Sequence, residues 1–154
     1  MSRRHVAKML RRMAEIREKR ARSEFLKAQT VLNDKKKQRQ DWVEAQVERE
    51  TSFIEENDAL TGAVLGMLDE TRVVSEKRIE RMDTDIAAVN GVVMARRSEH
   101  QMSLHRLNGA EKVEDHVKLQ HYIDMENKRA AELEDTATAN RHASSVSEGG
   151  VSDE

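Results

Sequence analysis

The sequence predicts an all-α protein, a long two-helix antiparallel coiled-coil hairpin with a disordered C-terminal tail. Three observations lead there. The 154 residues contain no proline and no cysteine, so nothing in the chain forbids uninterrupted helix and no disulfide or thiolate metal site can form. Hydrophobic residues make up 37% and aromatic ones 3%, too little apolar volume for a conventional globular core, which argues against a compact enzyme. Glu, Arg and Ala are the most frequent residues, and Leu, Lys and Met are well represented; all are good helix formers.

Helix 1 is expected over about residues 3–57. Ser2 can cap it, although Arg3, Arg4 and His5 then stand at the positive end of the helix dipole, where cations are unfavourable. Val6, Leu10, Met13 and Ile16 follow at steps of three or four residues, and Phe25, Ala28 and Leu32 continue the stripe one notch later, the periodicity of a helix seam. Asn33 to Asp41 carries no apolar residue, and Trp42, Phe53 and Leu60 resume the pattern.

The turn is expected at 57–66, where Asn57-Asp58, Gly62 and Gly66 cluster as breakers. Helix 2 is expected over about 64–136, through Leu65, Leu68, Ile79, Met82, Ile86, Val89 and Val93 and then Leu104, Leu107, Ala110, Val113 and Val117. Asn90-Gly91 and Asn108-Gly109 interrupt it with turn signals. The apolar phase carries across both, and a mid-helix glycine costs only about 1 kcal/mol, so a single helix is preferred to a three-helix arrangement. The hairpin would occupy 3–138. Residues 139–154 have no periodic stripe and read as a disordered tail with acidic character.

An apex near residue 62 places residue i opposite roughly 123 minus i. Ile16 then faces Leu107, Met13 faces Ala110, Leu10 faces Val113, Val6 faces Val117, and Trp42 lies near Met82. The middle matches less well, because Lys35 to Gln40 oppose Met82 to Val89. Each arm of about 57 residues would span roughly 85 Å at the helical rise.

The formal charge of −2 conceals an asymmetry. Residues 1–40 carry 14 Lys/Arg and 4 Asp/Glu, whereas 111–135, facing the start of helix 1, carry 8 Asp/Glu and 4 Lys/Arg. Hairpin pairing therefore absorbs part of the basic charge and leaves a surplus for a partner. No segment approaches the length of apolar sequence a membrane span needs, and the N-terminus lacks an uninterrupted apolar signal region, so a cytoplasmic protein without direct membrane insertion is expected.

Catalytic patterns are missing. His100 with His105, and His116 with His121, stand five residues apart and do not share a helix face; no carboxylate precedes a histidine by three or four residues, so the Glu-x-x-His of di-iron bundles is absent. There is no phosphate loop, GxSxG or HExxH. Neither enzyme activity, a metal nor a cofactor is expected. Nucleic-acid binding by the basic arm is a rival reading, but the arm has only Phe25 as a stacking platform. A generic coiled-coil scaffold is another.

The basic opening KMLRRMAEIREKRARSEF, with Lys8, Leu10, Arg12, Ile16, Arg17, Glu18, Arg20 and Ala21, the single Trp42 followed by Phe53, and a second helix rich in Arg, Glu and His resemble the YscO-type stalk proteins of bacterial type III secretion. Their flagellar counterpart FliJ is similar in plan, and the N-terminal words look more like the injectisome type. The resemblance spans about residues 3–135 and is one of pattern. It implies a non-enzymatic stalk, monomeric when free, at the cytoplasmic face of the inner-membrane secretion apparatus. Its joined termini would enter the hexameric export ATPase, through Arg3, Arg4, Lys8, Arg11 and Arg12 with helix 2 around Val117. The part nearer the turn would reach the export gate, a membrane protein, or secretion chaperones through Trp42 and Phe53. Packing of Trp42 against Met82 is the competing role for that side chain.

Overall fold

The computed structural model describes residues 2–57, 59 and 61–148. It contains two helices, α1 (Arg3–Glu56) and α2 (Gly62–Glu148), which pack against each other as an antiparallel hairpin, with no strand among the described residues. The chain divides into a terminal unit, Met1–Ala14 with Leu107–Glu154, and a turn unit, Glu15–Arg106.

In the turn unit the helices are joined by a connection shorter than the expected 57–66. Asn57 donates its side-chain amide to the Phe53 carbonyl at 2.7 Å, satisfying one of the acceptors that the last turn of α1 leaves open. Thr61 caps α2: its hydroxyl accepts the Val64 N–H at 3.4 Å and its carbonyl the Leu65 N–H at 3.0 Å. With that cap in place Gly62 and Gly66 are helical and have ordinary backbone angles. Leu60, expected on the α1 stripe, lies outside the described residues.

The expected register holds. Arg39 pairs with Asp83 and Glu50 with Arg72 in the turn unit, and Arg11 with Glu111 and Glu114 in the terminal unit, each within about a turn of the 123 − i rule. Asn90-Gly91 and Asn108-Gly109 both lie inside uninterrupted helix.

The face that α1 turns to α2 is not the expected one. Sheltered residues recur along α1 at Ala7, Arg11, Ala14, Glu18, Ala21, Phe25, Ala28, Leu32, Lys35, Arg39, Trp42 and Gln46, with Glu15, Glu24, Val43 and Ala45 sheltered beside them and Glu50 and Phe53 farther on; the series alternates three and four residues, as in a coiled-coil seam. Val6, Leu10, Met13 and Ile16 are displaced from it by one or two positions and are 37, 50, 43 and 62% exposed. The physical reason is continuity of phase: an uninterrupted helix keeps one 3–4 stripe along its length, and the one set by Phe25, Ala28 and Leu32 extends back through alanines placed every seventh residue.

On α2 the seam runs through Ile79, Met82, Ile86, Val89, Val93, Arg96, His100 and Ser103 in the turn unit, and Leu107, Ala110, Glu114 and Val117 in the terminal unit. Leu65, Leu104 and Val113 are exposed instead. Opposite Met82 to Val89, where coverage looked poor, Lys35 and Arg39 occupy the seam half-buried; their aliphatic stems cover apolar surface while the Arg39 guanidinium reaches both oxygens of Asp83.

The tail also departs from expectation. α2 continues through 139–148, because Ala137, Ala139 and Ala143 favour helix and no glycine follows until Gly149. From His121 to Val146 every residue is exposed, so this stretch of helix packs against no other helix among the described residues. Residues 149–154 lie outside the described residues.

Two stability outcomes follow from this packing. A Cβ added at Gly91 or Gly109 would meet nothing within 4 Å, so Gly91→Ala and Gly109→Ala should each stabilise the helix by about 1 kcal/mol in urea unfolding; a loss of stability would mean that these sites are not plain helix. Leu32→Ala should cost about 2 kcal/mol or more, whereas Leu10→Ala should fall within about 0.5 kcal/mol of the parent. Equal losses would put Leu10 in the seam.

Candidate partner-binding surfaces

The terminal unit is held by a charged knot in its seam. Glu114 is only 5% exposed and accepts from Arg11 Nη1 at 3.3 Å and from Lys118 Nζ at 2.8 Å; Arg11 Nε also lies 3.9 Å from Glu111. The hydrogen bond from Lys118 first, against the opposing effect of burial, and then that from Arg11 hold the Glu114 carboxyl below its ordinary range. Such a pair orients the helices more than it stabilises them, because burial of the charges offsets much of their attraction.

This arrangement divides the five expected ATPase-binding cations. Arg11 turns inward to the knot, and Val117 is half-buried beside it in the seam. Arg3, Arg4, Lys8 and Arg12 are exposed and make no ion pair or side-chain hydrogen bond with the described residues. Arg3 and Arg4 line a cleft of about 360 Å³ together with Ser2, His116, Val117, Gln120, His121 and the carboxylate of Asp124. Beside these cations stand Val6, Leu10 and Met13 on α1 and Val113 on α2, which the periodicity assigns to the seam; all are exposed, as is Met9 among them. The alanines at 7, 14, 21 and 28 were the signal that would have found this outward stripe.

In the turn unit Trp42 and Phe53 are both half-buried. Trp42 lies under the Arg78 guanidinium, whose Cζ is 5.4 Å from the ring centroid, a cation–π contact. It lines a groove of about 240 Å³ with Val43, Val47 and Ile79; Phe53 lines one of about 420 Å³ with Met67 and Leu68. Glu50 borders both grooves and is tied to Arg72 at 3.5 Å. The half-exposed aromatics therefore combine a seam position with an open apolar margin. Farther along the same unit, His100 Nε2 meets Glu18 at 2.9 Å and its ring stacks on Phe25 with centroids 6.1 Å apart.

Among the described residues no group of three or more His, Asp or Glu is placed to hold a metal ion, and no helix is long and apolar enough to cross a membrane. No protein-family model, curated protein or solved structure matches the chain.

The lowered Glu114 pKa has a definite pH consequence. A carboxyl held below its unfolded value contributes stability that is present above that value, about 4.3 for glutamate, and is lost as pH falls through the folded one. Glu114→Gln should therefore melt lower than the parent at neutral pH, with the gap closing as the pH drops below about 4. A gap that persists in acid would assign the loss to packing of the side chain.

Proposed function

We propose that this protein is a non-enzymatic stalk or adaptor of a type III secretion export apparatus, of the YscO kind, working at the cytoplasmic face of the inner membrane. The observation that carries this reading is the placement of Arg3, Arg4, Lys8 and Arg12, four cations without partners among the described residues, on the terminal unit of a two-helix hairpin. They stand in the basic opening that resembles the YscO-type proteins. A surface of this kind offers charge to an acidic partner and leaves the Arg11–Glu114 knot intact; exposed charges of this sort act mainly on the rate and orientation of association. The partner is the hexameric export ATPase. Trp42 and Phe53, each half-buried and lining a groove of mixed apolar and charged side chains, are the contacts for the export gate or for a secretion chaperone, since aromatic side chains are favoured at binding hot spots.

Charge reversal at Arg3, Arg4, Lys8 and Arg12 should abolish stimulation of the ATPase while circular dichroism remains helical. Trp42→Ala should weaken gate or chaperone binding by about tenfold or more and leave ATPase stimulation intact. The unmodified protein should show no saturable nucleic-acid binding at about 150 mM salt, where purely electrostatic binding is weak. Tight nucleic-acid binding there, with ATPase stimulation surviving charge reversal, would replace the stalk by a nucleic-acid binder.

A further inference from the structure

The seam of the terminal unit consists of Ala7, Arg11 and Ala14 against Ala110, Glu114 and Val117. Val6, Leu10 and Met13 each stand one residue before a seam position on α1; Gly109, Val113 and His116 each stand one residue before a seam position on α2. One residue is a turn of about 100° around the helix axis. In an antiparallel pair of right-handed helices, a step back from the seam leads to the same side of the pair on both helices. The exposed Val6, Leu10, Met13 and Val113 therefore share one side, with Met9 on its outer edge, and Gly109 leaves room between them: a Cβ there would meet nothing within 4 Å.

Charge is sorted to match. On this side the neighbours of the apolar stripe are Arg3, Lys112 and His116, and no carboxylate stands at these positions; Arg12, one residue past the seam, lies on the opposite side. Glu111 and Asp115 stand one residue past the seam, on the opposite side, and Glu114 is enclosed in the seam. Arg3 and Lys112 make no ion pair with the described residues.

We infer that this side of the terminal unit is a docking trough for an amphipathic helix with carboxylates along its margins, which packs between α1 and α2 as a third helix. Apolar residues at three- and four-residue spacing on α1 suit the ridges of another helix. The unpaired cations on the rim select carboxylates. The stripe holds Val, Met and Leu with no Trp or Phe, unlike a helix that lies on a lipid surface. The inference does not depend on which protein carries the docking helix, and so it stands or falls apart from the stalk reading.

The test uses the full chain carrying ¹³C-labelled methionine methyl groups and a synthetic three-heptad helix with Leu at its seam positions and Glu at the flanks. A twin peptide with Lys at the flanks serves as its control. The expected result is saturable binding of the acidic peptide with shifts at the Met9 and Met13 methyls, and little movement of Met67 or Met82 in the turn unit. Leu10→Gln and Val113→Gln, made separately, should each weaken binding about tenfold, while the twin peptide should not bind. Equal binding of both peptides, no saturable shift of the wild-type methyls, or shifts confined to the turn unit would overturn the inference. So would binding to phosphatidylglycerol–phosphatidylcholine vesicles without binding of the acidic peptide, or concentration-dependent shifts of the same methyls in the protein alone, which would assign the trough to a lipid surface or to a second copy. If either variant loses its helicity, the wild-type titration with the two peptides still decides.

Discussion

Everything in this hairpin depends on which stripe of α1 meets α2. Two helices stay in contact only along positions that recur every three and four residues, and on α1 those positions hold an alanine at every seventh residue from Ala7 to Ala28, alternating with Arg11, Glu18, Phe25 and Leu32. Alanine lets the helices approach but removes little apolar surface from water. Among the described residues the buried apolar side chains are only Ala7, Leu32, Leu68 and Val93. Orientation is therefore shared with polar contacts at the seam or its edge: Arg11 to Glu114, Glu18 to His100, and Arg39 to Asp83. The first two specify register by the cost of leaving a sheltered carboxylate without its partner, whereas the exposed Arg39–Asp83 pair contributes little.

A seam of small and charged residues has a second consequence. The larger apolar residues at the start of α1 are left outside, where they form a surface instead of a core. Exposed apolar stripes rimmed by charge mark interaction sites more often than scattered single residues do. The same division separates the cations: Arg11 is spent on the knot, and Arg3, Arg4, Lys8 and Arg12 are not. A stalk that must hold its own ends together while engaging another protein requires such a division, and this is the physical support for the proposed role.

The hairpin and its register were legible because both follow from the position of the connection, and Asn57 with the glycines at 62 and 66 marks that position closely enough. The two Asn-Gly pairs were read correctly as helical, since a turn there would have broken the apolar phase of α2. The face of α1 was not legible by size. Reading the largest apolar residues as the seam chose Val6, Leu10 and Met13, whereas the chain follows the phase of Phe25 and Leu32 back to Ala7. The end of α2 was misjudged because a missing stripe was equated with missing helix, although alanine-rich sequence can remain helical while fully exposed. Of the candidate site, the exposed cations and the half-buried Trp42 and Phe53 were visible in the sequence. The turning inward of Arg11 was not, since it depends on the phase of the seam.

Cysteine accessibility distinguishes an α1 that presents its alanines to α2 and its larger apolar residues to the outside from the reverse, because the chain contains no cysteine of its own. Single-cysteine variants Leu10→Cys and Ala7→Cys would be labelled with a maleimide under native conditions and compared with the same variants unfolded in urea. The cysteine at position 10 should react at close to its unfolded rate, and the one at position 7 should be strongly protected. Protection at position 10 with rapid labelling at position 7 would contradict this arrangement and return Leu10 to the seam.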